Sequence, residues 1–72
     1  MSDGEILKIF GFNMKVMRMK LGLTQFQLAE ILNVHEKHIC KLEAGKQNVT
    51  LKTLEKIAAA LGVSEAYLLT PQ

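Results

Sequence analysis

Apolar residues recur along the chain at helical spacing, broken by short polar stretches, and this periodicity predicts helices from end to end. Phe10, Met14, Met17 and Leu21 form the core stripe of a first helix from about Asp3 to Leu21, with Ser2 and Glu5 spaced as a capping box and Gly22 as the stop. Gly11 and Asn13 are weak helix formers, so the part before Phe12 is expected to fray or to form a separate turn. Thr24 and Gln27 form a second capping box that opens a helix through Leu32, burying Leu28, Ala29 and either Ile31 or Leu32. Asn33 ends it, because asparagine tolerates the left-handed backbone of a sharp turn. Val34, Ile39 and Leu42 begin a new stripe on a helix from about Glu36 to Ala44, closed by Gly45. After the polar stretch Lys46, Gln47, Asn48, Thr50 caps a fourth helix with Leu51, Leu54, Ile57, Ala58 and Leu61 inward. Gly62 stops that helix, and Ser64 caps a short fifth one holding Tyr67, Leu68 and Leu69. The single proline, Pro71, and the lack of alternating β-branched runs leave strands without support, so the class is all-α.

The chain has 72 residues, enough for one compact domain over residues 1–72 and too few for most enzymes with enclosed pockets. Its 49% hydrophobic content suits tight helix packing. Cys40 is the only cysteine, which excludes an internal disulfide and a multi-cysteine zinc site. No apolar run is long enough to span a membrane, and no signal peptide is visible, so a soluble cytoplasmic protein is expected. Net charge is only +2, so charge placement must carry any case for a nucleic-acid partner.

Gln25, Leu28, Ala29, Leu32, Asn33, Val34, Ile39 and Leu42 describe two short helices joined by a tight turn along one apolar seam. Ala29 is small where the second helix crosses close to it, and Val34 and Ile39 fill the angle between the helices. With Leu23-Thr24-Gln25, Leu42-Glu43-Ala44-Gly45-Lys46 and Ala58-Ala59-Ala60-Leu61-Gly62-Val63-Ser64, this pattern resembles the lambda repressor and Cro type of helix-turn-helix family, from about Met14 to Leu69. The resemblance implies a compact five-helix fold with the third helix in the major groove of double-stranded DNA. It implies a homodimer on a palindromic operator, acting most simply as a repressor. Tyr67, Leu69 and the loop before helix 4 are where family members of this length pair.

If Ile39 and Leu42 point inward, Lys37, Cys40, Lys41 and Ala44 share the outer face, with Glu36 and His38 on its flanks. Glu36, Lys37, His38 and Lys41 are thus expected to read bases: lysines donate to guanine or phosphate, Glu36 accepts from cytosine N4, and His38 can do either. Gln25 matches the family position that holds a phosphate at a helix N-terminus, and Lys46, Gln47 and Asn48 are expected on the backbone at the other side. Arg18 and Glu43 correspond to a structural ion pair. Asn33 stands where the turn usually has glycine, and His35 is a poor cap for the reading helix.

Other functions find less support. His35, His38 and Cys40 spread around their helix, so no metal is expected; there is no catalytic triad and no nucleotide loop, hence no catalytic residue, cofactor or small-molecule ligand. Ile9, Phe12, Val16 and Met19 form a second apolar stripe on helix 1. It is either covered by the N-terminal segment or helix 5, or exposed as an interaction patch. An exposed patch would suit the alternative function, a protein-interaction module or antitoxin-like subunit that grips its partner through helix 1.

Overall fold

A computed structural model describes residues 3–72. The described residues form five helices and no strand: α1 (Asp3–Lys20), α2 (Gln25–Leu32), α3 (Glu36–Glu43), α4 (Leu51–Leu61) and α5 (Glu65–Leu69). The stops and starts are made by local chemistry. Thr24 Oγ1 accepts from the Gln27 N–H at 3.0 Å, and Gln27 Oε1 accepts from the Thr24 N–H at 2.8 Å, closing the capping box of α2. Thr50 and Ser64 cap α4 and α5 in the same way. Asn33 takes the left-handed conformation (φ 57°, ψ 48°) while its N–H and that of Val34 close the end of α2. The Ser2 half of the first capping box lies outside the described residues.

One core joins all five helices: Phe10 and Met14 from α1, Leu28 and Ala29 from α2, Ile39 and Leu42 from α3, Leu54, Ile57, Ala58 and Leu61 from α4, and Leu68 from α5. Each large side chain removed from water contributes roughly 1.5–3 kcal/mol. Helix α1 spans the molecule, packing on α3 and α5, while α2 packs on α3 and α4.

The two residues expected to weaken α1 instead seat it, and the helix runs unbroken through them. Gly11 is buried where α1 crosses the end of α3, so close that a Cβ there would lie 2.5 Å from the Leu42 carbonyl oxygen and 2.7 Å from that of Glu43. Asn13 is also buried. Its Nδ2 lies 3.3, 3.0 and 2.8 Å from the carbonyl oxygens of Tyr67, Leu68 and Thr70 and donates to them, securing the end of α5. The helix-propensity loss is thus offset by tertiary contact.

Several apolar residues assigned to the core are exposed. Leu21 lies past the last turn of α1, where Gly22 (φ 73°) redirects the chain. Ile31 sits about 100° around α2 from the centre of its buried face, so Leu32 packs inward instead. Leu51 is 83% exposed, because a first-turn side chain leans toward the helix N-terminus, beyond the elements covering Leu54. Val34 fills the inter-helix angle only in part and stays exposed. The second stripe of α1 divides: Ile9 and Val16, on the Asn13 side that meets α5, are half-buried, and Phe12 and Met19 are exposed.

Candidate nucleic-acid interface

Helix α3 turns Ile39 and Leu42 fully inward, which leaves Glu36, Lys37, Cys40, Lys41 and Ala44 exposed and His38 half-buried on one flank. Lys37 and Lys41 stand one turn apart on this outer face. His35, at the N-cap, has extended backbone and makes no side-chain capping bond, so the first turn of α3 keeps its N–H groups without that acceptor. An open concavity of about 590 Å³ along the His38 flank is lined by His35, Lys37, His38, Lys41 and Gln47. Its side chains are donors or can become donors, as an anionic or acceptor-rich surface requires.

The end of α3 is fixed by one carboxylate. Arg18 Nε donates to Glu43 Oε2 at 2.7 Å and Arg18 Nη2 donates to Glu43 Oε1 at 3.1 Å, a two-point pair. Arg18 Nη1 donates to the Leu23 carbonyl oxygen at 2.7 Å, and Gln25 Nε2 donates to Glu43 Oε1 at 3.0 Å. The Glu43 side chain is only 3% exposed, so its charge is met within the chain by Arg18. Three elements are tied here: the end of α1, the start of α2 and the end of α3. Gln25 therefore has a structural contact beyond its expected role, and its second amide N–H points away from that bond.

Lys46, Gln47 and Asn48 follow the left-handed Gly45 (φ 71°), with Lys46 and Asn48 exposed. Gln47 is brought to α3 itself, its Nε2 3.0 Å from His38 Nδ1. Tyr67 and Leu69 are half-buried against the core of their own chain.

One cation was not foreseen. Exposed Lys15 of α1 lines a recess with Gln25, Cys40, Glu43 and Ala44, beside the outer face of α3 and the N-terminus of α2. Its signal in the sequence is its place one turn before Arg18: once Arg18 meets the end of α3, Lys15 must lie alongside that helix. Among the described residues no group of three or more His, Cys, Asp or Glu side chains is gathered to hold a metal ion, and no helix is long and apolar enough to cross a membrane.

Residues 14–68 match the family model described as helix-turn-helix. The chain is 36% identical over 67 residues to the HTH-type transcriptional regulator y4dJ of Sinorhizobium fredii, covering 93% of this chain and 87% of that protein. It is 41% identical over 68 residues to the control protein C.SmaI of Serratia marcescens, covering 94% and 81%. Among solved structures, the hypothetical transcription factor NHTF from Neisseria superposes with a TM-score of 0.88 at 30% identity, over 99% of this chain and 82% of that one.

Proposed function

The chain belongs to the lambda repressor and Cro type of helix-turn-helix family, and from that premise we propose that it is a DNA-binding transcriptional regulator that lays α3 in the major groove. The observation that carries this reading is the outer face of α3: Lys37 and Lys41 stand exposed one turn apart, on a helix whose end is tied by Glu43 to both α1 and α2. A side chain reads a base edge only if its helix is held at a fixed tilt, and the Arg18, Glu43 and Gln25 network supplies that constraint.

In this reading Glu36, Lys37, His38 and Lys41 meet base edges. Lys46 and Asn48 meet one phosphate strand, with Gln47 between them and His38. The N-terminus of α2 with Gln25, now joined by Lys15, meets the other. A homodimer paired through α5, with Tyr67 and Leu69, reads two half-sites about one helical turn apart on a palindromic operator and represses by occluding a promoter. Such a protein acts in the cytoplasm beside the DNA it binds, and needs neither catalysis nor a cofactor. The interaction-module reading draws only on Phe12 and Met19, because the stripe beside them is half-covered.

Selection from a random duplex library, repeated at several salt concentrations, tests the proposal. A regulator enriches one related, two-fold symmetric sequence, and its log affinity falls linearly with log salt. Lys41→Ala is expected to relax preference at one base pair or to lower the salt slope by about 0.9, the value for one phosphate contact. Lys52→Ala, on the first turn of α4, leaves both unchanged. Binding without sequence preference, or no binding at low salt, refutes the reading.

A further inference from the structure

A neutral histidine can either donate or accept through its ring nitrogens, so the base preference of His38, on the flank of the outer face of α3, is undefined until its tautomer is set. His38 has a partner that can remove this freedom. Its Nδ1 lies 3.0 Å from Nε2 of Gln47, nine residues later, across the turn made by Gly45. With the amide nitrogen turned to the ring, as it stands here, Gln47 donates and Nδ1 accepts, and a neutral imidazole in that pairing carries its proton on Nε2. The opposite amide orientation would pair Oε1 with an Nδ1–H, and imidazole nitrogen NMR tells the two apart. The ring is also held in space. One side borders a small recess with Leu32, Val34, Ile39 and Thr53, and the other faces the open concavity with Lys37 and Lys41.

We propose that Gln47 is a positioning residue that locks His38 in the Nε2–H tautomer and so makes it a dedicated hydrogen-bond donor to DNA. The inference rests on the reading of α3 as the base-reading helix. An Nε2–H donor matches purine N7, guanine O6 or thymine O4 in the major groove and finds only another donor at the cytosine amino group. His38 is therefore a specificity determinant against cytosine at the base it faces. Gln47 acts through the ring, a role distinct from the backbone contact expected for its position in the loop. The arrangement gives a neutral side chain the one-way polarity of a lysine, yet adds no charge and hence no dependence on salt.

The intact chain allows a direct test. Imidazole nitrogen NMR shifts of the free protein, at about pH 8 where an ordinary imidazole is neutral, are expected to show His38 protonated at Nε2 and bare at Nδ1. Gln47→Glu, which places an accepting carboxylate there, is expected to move a proton onto Nδ1. In library selection, Gln47→Leu should lower the preference against cytosine at one base pair by about fivefold, the worth of one hydrogen bond, with the salt slope unchanged. A proton on Nδ1 in the unaltered protein, or full base preference in Gln47→Leu, overturns the proposal. His38→Ala separates the two levels. If it leaves every base preference intact while Lys41→Ala changes one, His38 does not read DNA and the proposal fails with the reading of α3 still standing. If the unaltered protein selects no sequence, that reading itself fails; and if His38→Ala removes a preference that Gln47→Leu keeps, only the role of Gln47 fails.

Discussion

Gly11→Ala sets two physical effects against each other. In an isolated helix the change is favourable by about 1 kcal/mol, since alanine is the better helix former. In the folded chain the new Cβ meets backbone atoms at 2.5, 2.7 and 2.9 Å, those of Leu42 and Glu43 at the end of α3. Carbon contacts are comfortable near 3.5 Å, so α1 and α3 must separate by about 1 Å, and backbone atoms cannot rotate aside as a flexible side chain would. Overpacking of this kind costs about 1–3 kcal/mol, and the rigid partner argues for the upper end. Net destabilisation should be about 2 kcal/mol after the propensity gain, lowering the thermal midpoint by about 10 °C for a domain of this size. Far-ultraviolet circular dichroism during heating measures it. Gly4→Ala is the control, because nothing lies within 4 Å of a Cβ at that position and only the propensity gain remains. If Gly11→Ala raises the midpoint as Gly4→Ala does, the close crossing is not what the chain adopts in solution. Affinity for the selected duplex, measured where both proteins are folded, should also fall, because the displaced backbone belongs to α3, the helix proposed to enter the groove.

The carboxylate at the end of α3 makes a second test. Glu43→Gln leaves the Arg18 charge, 10% exposed, without its partner and should cost about 3 kcal/mol, seen as a lower urea midpoint with unchanged slope. Replacing Arg18 and Glu43 together by methionine should recover most of that loss, and a double variant as unstable as the single one would contradict the account. Asn13→Ala removes the donor to three carbonyl oxygens and should cost about 1–3 kcal/mol. The loss should register as faster amide exchange in α5 while the exchange of α3 changes little; equal acceleration in both would count against a local role.

Features set by near neighbours were legible in the sequence. The Thr24 and Gln27 box, the Thr50 and Ser64 caps and the Asn33 turn depend on residues within three or four positions, and all form as the spacing predicts. Arg18 and Glu43 meet, as the family pattern implies. Gly11 and Asn13 were legible only as helix weakeners, because their partners lie about 30 residues away in α3 and more than 50 away around α5. Periodicity also says which face of a helix is apolar but not where the covering elements end, hence the exposed Leu21 and Leu51. The bonds from Gln25 to Glu43 and from Gln47 to His38 carry no local signature, since any polar side chain at those positions would satisfy the pattern.

The Asn13 amide also sets an order of events. Its partners are 54 to 57 residues later in the chain, so the bond waits until the other four helices have been made. At roughly 5–20 residues per second, a nascent chain spends about 2–9 s with α1 synthesised and α5 absent. During that interval the Phe10 and Met14 stripe has no fifth helix to complete its cover, and a leucine in place of Asn13 would widen the sticky surface it presents to neighbouring chains. An amide at this position stays hydrated until α5 is made, then exchanges water for the carbonyl oxygens of Tyr67, Leu68 and Thr70. The residue that latches α5 to α1 is thus polar for as long as α5 is missing and buried once it is present.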